Sequence, residues 1–450
     1  MEILKTIPFS ELLMWDVKRY QIYDFYTKKY PKIELKNLLI KHSQEITLDD
    51  NEKYKQVTIK LYGKGVVLRQ IKKGIEIKTK KQFLIRKGQL IYSKIDARNG
   101  AFGIVPEELD GAIITNSFSV FDINKNLVNP QYLFLVTSSR FFQKICERFS
   151  SGTTGRRNIN DDTLLNLKIP LPSLEEQNRL VANYNTKIKL ANDQEKKTKA
   201  LEQEIEAYLF EVLGIEKLEE KETKKGLQFV LFKNTSRWDT LFLIGHIPIL
   251  KSKFEILKFS DVILNFNKDT NNESVRINTK DYPDKEFHYI GMEHIEKETG
   301  KLLELKKVKG KEIKSQTLKV PKEFYIYGKL RPYLNKYWIN ETDLNNIICS
   351  SEFFVFNIKE GVDKYYFLNV LSSQFIQTQI SDKTSGARMP RINEEIFFNL
   401  QFPLPPLKIQ KLIANHISAL KQQINDLLSK ANENREKAIQ EFEEEIFTKN

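Results

Sequence analysis

The apolar residues of two long segments follow the spacing of an α-helix. Residues 174–213 and 407–446 each run for 40 residues without proline or glycine, the two residue types that disfavour helices most strongly. An α-helix rises about 1.5 Å per residue, so each segment predicts a helix about 60 Å long. A helix of that length needs a partner along its apolar face, which indicates a coiled coil.

The second segment has the clearer apolar face. Its residues alternate in steps of four and three, the heptad pattern of a coiled coil, with one polar member. The positions are Ile413, Ile417, Leu420, Ile424, Leu427, Ala431, Asn434 and Ala438. The first segment is less regular and has a polar stretch between Ala191 and Leu201. We predict that the two helices pair antiparallel and put the globular parts at opposite ends; pairing of each helix with another chain is the alternative.

The part of the chain ahead of each long segment has a different pattern. Short apolar, β-branched and aromatic runs alternate with Gly, Asn and Asp, which is typical of strands and turns. Residues 89–95 and 350–356 are examples of predicted strands. One helix is predicted to follow in each part, beginning at Asn129-Pro130 and at Asp363, because Asn and Asp are favoured N-caps and proline is favoured at the first helical position.

The chain repeats itself. Five motifs recur in the same order in its second half, displaced by 223 to 235 residues. The pairs are Trp15-Asp16 with Trp238-Asp239, Ser93-Lys94-Ile95 with Gly328-Lys329-Leu330, 118–121 with 353–356, 132–141 with 366–375, and 169–172 with 402–405. This ordered series predicts two copies of one plan, with an insertion in the second copy between the Trp-Asp pair and the lysine motif.

Length and composition fit a multidomain globular protein. The chain has 450 residues, 40% of them hydrophobic and 29% charged, which indicates more than one domain. Cys146 and Cys349 cannot form a disulfide framework or a zinc site, and they predict reduced thiols. The first 20 residues lack the apolar core of a signal peptide, and no apolar run reaches 18 residues. We therefore expect a cytoplasmic protein without a membrane span.

Positive charge is concentrated in two blocks. The net charge is +13. Residues 51–100 hold 14 Lys or Arg against 3 Asp or Glu, and residues 301–340 hold 11 against 3. Two separate basic blocks predict two surfaces for a polyanion, most simply nucleic acid. The alternative is a lysine-rich chain whose charges are only solvated.

Two motifs, each present in both copies, lead to a family. Residues 151–160 (SGTTGRRNIN) precede 169–177 (IPLPSLEEQ), and residues 384–393 (TSGARMPRIN) precede 402–410 (FPLPPLKIQ). Together with the order domain, helix, domain, helix, they resemble the specificity subunits of type I restriction–modification systems, from about Trp15 to Phe447. The sequence departs from the pattern in two places: the second loop lacks the doubled arginine, and the first helix has a weak seam.

The resemblance implies an α+β fold. Two mixed α/β target-recognition domains are separated by two long antiparallel coiled-coil helices, with an internal pseudo-two-fold repeat. The predicted boundaries are 1–173 for the first domain, 174–214 for the first helix, 215–233 for a charged linker, 234–406 for the second domain and 407–450 for the second helix.

The resemblance also implies a function and partners. Each domain would read one half of a bipartite site in double-stranded DNA, and the helices would fix the gap and dock two methyltransferase subunits. The chain itself would be non-catalytic and hold no cofactor or metal. S-adenosylmethionine would belong to the adenine-methylating partner, and ATP and Mg²⁺ to motor-nuclease subunits that join for cleavage.

Candidate DNA-binding residues lie in a loop that recurs in each copy. Lys94, Arg98 and Asn99 follow a predicted strand, and the matching stretch of the second copy holds Lys329, Arg331 and Tyr333. Arginine can bridge guanine and asparagine can bridge adenine in the major groove. The alternative is an ordinary basic turn in which Asp96 pairs with Lys94 or Arg98.

Further candidates come from three other stretches. Arg156 and Arg157 lie in the first glycine-rich loop, and Arg388 and Arg391 in its counterpart; such loops suit a phosphate clamp, or else form a flexible connection. Lys72 and Lys73 belong to the first basic block and are expected to contact DNA. Trp15 and Trp238 are interpreted as structural anchors.

Two competing functions remain open at this stage. An intrinsic DNA methyltransferase is suggested by Asn129-Pro130-Gln131-Tyr132, which approaches the catalytic loop of amino-methylating enzymes. The counterpart 363–366 (DKYY) indicates a helix cap instead, and neither a glycine-rich strand-turn for S-adenosylmethionine nor a P-loop accompanies it. The other competitor is a coiled-coil scaffold without sequence recognition.

Overall fold

The chain divides into two compact units. The computed structural model describes residues 29–150, 158–215, 251–381 and 389–447. Unit 1 comprises residues 1–196 and 428–450, and unit 2 comprises residues 197–427. Both divisions fall within the long helices, so the predicted domain boundaries stay predictions. Trp15 and Trp238 lie outside the described residues.

Unit 1 contains eleven described strands. They are β1 (Lys32–Glu34), β2 (Leu39–His42), β3 (Gln44–Thr47), β4 (Lys53–Ile59), β5 (Val66–Lys73), β6 (Lys81–Leu84), β7 (Leu90–Ser93), β8 (Phe102–Ile104), β9 (Ile113–Ile114), β10 (Phe118–Ile123) and β11 (Lys168–Pro170). Its described helices, other than the long ones, are α1 (Pro130–Ser138), α2 (Arg140–Phe149) and α3 (Asp161–Leu165).

These strands form three sheets. The orders are β1-β11, β2-β10-β7-β8 and β3-β6-β9-β4-β5. All pairings are antiparallel except that of β4 with β9. The main core lies between the four-stranded sheet and α1 and α2, where Tyr92, Phe102, Phe121 and Phe142 are fully buried.

Unit 2 contains the same number of described strands. They are β12 (Glu255–Lys258), β13 (Ile263–Leu264), β14 (Arg276–Ile277), β15 (Glu286–Ile290), β16 (Lys306–Lys309), β17 (Thr317–Lys319), β18 (Tyr325–Gly328), β19 (Tyr337–Ile339), β20 (Ile347–Ser350), β21 (Phe353–Ile358) and β22 (Gln401–Leu404). The two long helices, α4 (Leu174–Leu213) and α9 (Leu407–Phe447), have residues in both units. The other described helices of unit 2 are α5 (Phe259–Val262), α6 (Lys364–Ser372), α7 (Gln374–Ser381) and α8 (Glu394–Phe398).

The internal repeat is confirmed strand by strand. The sheets of unit 2 have the orders β12-β22, β13-β21-β18-β19 and β14-β17-β20-β15-β16. Each position in these orders corresponds to the same position in unit 1. Even the single parallel pairing recurs, between β15 and β20. A sequence that repeats its hydrophobic pattern therefore repeats its pairing, because each strand must turn the same face to the core.

The helix starts predicted from sequence are confirmed, but the number of helices is not. The side chain of Asn129 accepts hydrogen bonds from the first-turn amides of α1, and that of Asp363 does so for α6. The prediction of one helix in each copy was wrong. The backbone is extended at Ser139 and Ser373, and a second helix begins after each. Ser139 then caps α2 by accepting from Phe142 N.

The strand predicted at residues 350–356 is also corrected. The chain turns at Ser351 and Glu352, which lie between β20 and β21. A continuous apolar run does not show where one buried strand ends and the next begins, because both strands bury both faces. The prediction at 89–95 is closer, since β7 covers Leu90–Ser93.

The long helices are observed where the sequence predicted them, and within each unit their segments run antiparallel. In unit 1, Lys187 of α4 forms an ion pair with Glu441 of α9 at 2.9 Å, and Gln194 accepts from Asn434 Nδ2 at 3.0 Å. In unit 2, the rings of Tyr208 and His416 lie 4.1 Å apart.

The heptad seam of α9 is confirmed. Six of its eight positions are buried, and Leu427 and Asn434 are half-buried. The polar stretch of α4 is not a gap in the pairing. Gln194 meets Asn434, while Glu195 and Asn192 both bind Arg435. No helix in the described residues is both long and apolar enough to span a membrane.

Candidate nucleic-acid interface

The loop after β7 has a fixed backbone. Residues Lys94–Gly100, termed the lysine loop of unit 1, contain a short 3₁₀ turn at Ala97–Asn99 that ends with Gly100 in the left-handed region at φ 70°. The turn between β4 and β5 holds the loop from outside: Tyr62 N donates to Asn99 O at 2.9 Å. Glycine suits the seventh position because it adopts this φ without steric cost.

Unit 2 has a loop of the same length at the corresponding place. The lysine loop of unit 2 is Lys329–Asn335, and its 3₁₀ turn covers Pro332–Leu334. Asn335 takes the left-handed conformation at φ 45°, and its Nδ2 donates to Ser372 O at 2.6 Å. Asparagine is among the residues that tolerate this region best. The two loops thus share a 3₁₀ turn and a left-handed seventh residue, but they differ at the third residue, where Asp96 has φ −106° and Arg331 has φ 48°.

The alternative for unit 1, an ordinary turn in which Asp96 pairs with Lys94 or Arg98, is contradicted. Asp96 pairs with neither Lys94 nor Arg98 among the described residues; its carboxylate accepts instead from Ser93 Oγ and Asn99 Nδ2, both at 3.4 Å. Lys94 is half-buried, and its Nζ donates to Asn116 O at 3.2 Å. Arg98 is also half-buried and makes no hydrogen bond or ion pair with a described residue.

In unit 2 the lysine is also half-buried. Burial lowers the pKa of Lys329, and the nearby charge of Glu352 offsets part of this effect. The ammonium lies 5.0 Å from the ring centroid of Phe354, which adds a cation–π attraction. Arg331 and Tyr333 are exposed, and Arg331 itself has a left-handed backbone at φ 48°.

An ion pair that the sequence did not reveal holds Arg391. Its Nη2 and Nε bind Glu352 Oε1 and Oε2 at 2.9 and 3.1 Å. These bonds lower the pKa of Glu352 and raise that of Arg391. The two residues are 39 apart in the chain, and Glu352 lies in a turn that the sequence had assigned to a strand. The cation expected to bind DNA is therefore already engaged by a carboxylate.

The end of each glycine-rich loop returns to the lysine loop. Ile159 N donates to Lys94 O at 3.0 Å, and Ile392 N donates to Lys329 O at 3.1 Å. In unit 2, Arg331 N also donates to Pro390 O. The lysine loop and the end of the glycine-rich loop, which are distant in sequence, are thus neighbours in each unit. Arg156, Arg157 and Arg388 lie outside the described residues, so their roles stay predictions.

A buried acid fixes the return segment of unit 1. Asp161 begins α3, binds Lys41 Nζ at 2.6 Å and accepts from Tyr92 OH at 2.8 Å. Burial opposes the charge, but hydrogen bonds from Lys41, Ser119 and Tyr92 outweigh it and lower the pKa of Asp161. Apart from a composition typical of a helix start, no local pattern points to this residue, because all its partners are distant in the chain.

Lys72 and Lys73 lie apart from these loops. They end β5, at the edge of the five-stranded sheet. The other end of β5 is the one near the lysine loop, since Val66 lies beside Gly103 of β8, and β8 pairs with β7. Seven strand residues at about 3.3 Å each separate the two ends by about 23 Å. Lys73 is exposed and Lys72 half-buried. If they bind DNA, they do so at a second point of contact. Among the described residues, no group of three His, Cys, Asp or Glu side chains is arranged to hold a metal ion.

Comparisons with known proteins agree with this architecture. The family model of the type I restriction modification DNA specificity domain matches residues 27–207 and again residues 251–435. The chain is 33% identical to the type I restriction enzyme HindI specificity subunit of Haemophilus influenzae over 101 residues, 22% of this chain and 21% of the relative. It is 26% identical to the EcoDI specificity subunit of Escherichia coli over 163 residues, 34% of each. These matches span about a fifth to a third of the curated relatives.

A solved structure shows a similar fold. One chain from a study of complex assembly and conformational transition of the type I R-M system has a TM-score of 0.53 at 15% identity, covering 93% of this chain and 96% of that one. The family model, however, covers both copies of the repeat and most of the chain. The chain therefore belongs to the family of type I restriction modification DNA specificity domains, as its paired loop motifs predicted.

Proposed function

We propose that the chain recognises a bipartite target in double-stranded DNA, each unit reading one half. The observation that carries this proposal is the duplicated lysine loop, which has a cation at its first position, a 3₁₀ turn and a left-handed seventh residue in both units. A protein that reads two half-sites needs two equivalent surfaces. Phosphate contacts supply affinity, and side chains at base edges supply specificity.

The long helices serve as the spacer in this proposal. Both α4 and α9 have residues in each unit, so a helix of fixed length sets the interval between the half-sites. We propose further that the assembly contains two methyltransferase subunits that bind S-adenosylmethionine and methylate adenine. Motor-nuclease subunits using ATP and Mg²⁺ join for cleavage of unmodified DNA. The proposed location is the cytoplasm.

A domain exchange tests this proposal. Replacing residues 1–173 with the same region of a relative is expected to change one half of the recognised sequence and leave the other half intact. The readout is selection of bound duplexes from a library, or sequencing of methylated positions in the source genome. A change in both halves would contradict the proposal that each unit recognises its own half-site.

Two control measurements separate the competing functions. Binding of duplex DNA by the isolated chain that falls steeply with salt is expected here and is not expected of a scaffold. Methyl transfer by the purified chain alone would support the enzyme alternative. The Asn129 cap argues against that alternative, since its side chain is used by the backbone amides of Gln131 and Tyr132, as Asp363 is in unit 2.

A further inference from the structure

We propose that the fifth residue of each lysine loop, Arg98 in unit 1 and Tyr333 in unit 2, contacts a base edge and sets base preference in its half-site. This inference rests on the proposed function and assigns specificity to one position of the loop. It also predicts that the two units prefer different bases there, because the two side chains have different chemistry.

The backbone is held at both ends of each loop. The carbonyl of the first residue accepts from the return segment, from Ile159 in unit 1 and from Ile392 in unit 2. The seventh residue is left-handed in both, and Gly100 lies against Gln143 of α2 so closely that a Cβ would come within 2.7 Å of its amide nitrogen. A loop held in this way presents its intervening side chains in a defined direction.

The fifth position is the one at which both units offer a polar side chain that no described residue binds. Tyr333 is 58% exposed, and neither it nor Arg98 makes a hydrogen bond with a described residue. The third position differs, since Asp96 is bound by Asn99. The fourth position is buried in both loops, at Ala97 and Pro332.

The first position has the opposite character. Lys94 and Lys329 are both half-buried, and Lys329 lies against Phe354. A lysine is a point charge without the planar fork of arginine, and each ammonium here already has a contact within the protein, so it suits a phosphate better than a two-bond contact to a base. In this inference the first residue of each loop contacts a phosphate, and the fifth residue contacts a base.

The chemistry of the fifth position differs between the units. Arginine can donate two parallel hydrogen bonds to O6 and N7 of guanine, the commonest specific contact in the major groove. Tyrosine has one hydroxyl and an apolar ring, so it favours a single acceptor together with a thymine methyl group. We infer that the half-site of unit 1 contains a guanine at the position facing Arg98 and that Tyr333 does not select guanine.

Exchange of the two residues tests the inference. The full chain, R98Y and Y333R are each used to select duplexes from a library with two randomised half-sites. R98Y is expected to reduce discrimination for one guanine by roughly ten-fold or more, in one half-site only. Y333R is expected to add a guanine preference in the other half-site. Thermal unfolding of both variants should match the wild type, because both positions reach the surface.

The control is Lys125→Ala, an exposed cation beyond the opposite end of β10 from the loop. It should leave the selected sequences unchanged. If R98Y instead weakens binding to all sequences alike and lowers the salt slope by about 1, Arg98 contacts phosphate and the inference is overturned. If the wild-type chain selects a bipartite sequence that R98Y leaves unchanged, the inference alone fails. If the wild type selects no sequence, the proposed function fails with it.

Discussion

Gln177 and Gln410 make the same three hydrogen bonds in the two halves of the chain. Gln177 lies in the first turn of α4 and is fully buried. Its Oε1 accepts from Asn129 N at 2.8 Å, and its Nε2 donates to Leu127 O and Pro172 O at 3.1 and 2.9 Å. One amide thus joins the long helix, the start of α1 and the proline-rich segment.

Gln410 repeats this at the start of α9. It accepts from Asp363 N at 2.7 Å and donates to Gly361 O and Pro405 O at 3.1 and 2.8 Å. Three backbone groups that have no partner in the regular elements are satisfied by a side chain that can both donate and accept. The junction of domain and helix is therefore a built feature of the repeat.

Loss of this amide should be costly. We expect Gln177→Leu and Gln410→Leu each to lower the free energy of unfolding by about 2–4 kcal/mol, because buried backbone groups lose their partners. Urea denaturation measures the change. Gln203→Leu is the matched control, since Gln203 is exposed on α4, and it should change stability by less than about 0.5 kcal/mol. Equal losses of unfolding free energy at the three positions would show that the hydrogen bonds of the buried amides do not add to stability.

The Glu352–Arg391 pair predicts a gain of non-specific binding. In Glu352→Gln the side chain no longer neutralises Arg391, so one more cation is available to phosphates. Affinity for unrelated duplex DNA should rise several-fold, and the slope of log affinity against log salt should steepen by about 1. Titration at several salt concentrations measures both quantities.

Glu360→Gln is the control for this prediction. It removes the same formal charge at an exposed position outside the loops. If the two variants bind DNA equally well, the effect comes from net charge and the local pair has no role.

The polar pair in the helix seam should be energetically coupled. Asn434 Nδ2 and Gln194 Oε1 are 3.0 Å apart within the seam of unit 1. In a double-mutant cycle with Asn434→Ala and Gln194→Ala, we expect a coupling of about 0.5–1 kcal/mol. Asn432→Ala, on the exposed side of the same helix, should show none with Gln194→Ala. A zero coupling between Asn434 and Gln194 would show that their hydrogen bond does not stabilise the seam.

Acid should weaken unit 1 through Glu176. Hydrogen bonds from Arg179 and Tyr30 lower the pKa of this carboxyl from 4.5 to about 2, and Arg179 also binds Glu445 of α9. Because the folded-state pKa lies below the unfolded value, the stabilisation is complete above about pH 4.5 and is lost as the pH falls towards 2. Glu176→Gln should cost roughly 1 kcal/mol at pH 7, since the pair is partly solvated.

The same variant provides the pH test. Unfolding free energies measured from pH 7 to pH 2 should fall less steeply for Glu176→Gln than for the wild type. Glu175→Gln removes a charge from the adjacent exposed position and should keep the wild-type slope. An unchanged slope in Glu176→Gln would contradict the assignment.

The sequence alone determined the features that depend on local spacing. The two long helices follow from 40-residue stretches without proline or glycine, and the start of α4 at Leu174 is observed where it was predicted. The caps at Asn129 and Asp363 follow from the preference of short polar side chains for N-terminal amides. The repeat follows from ordered motifs, and motif similarity needs no knowledge of contacts.

The tertiary structure decided the features that depend on distant residues. The sequence read residues 350–356 as one strand and missed that Glu352 turns towards Arg391. It missed that Lys41, Tyr92 and Asp161 meet. It presented Lys72 and Lys94 alike as DNA-binding candidates, although Lys72 lies in β5 of the five-stranded sheet and Lys94 follows β7 of the four-stranded sheet. Strand pairing between distant segments creates these neighbourhoods, and a local pattern specifies which face of a strand is buried but not which side chain lies opposite.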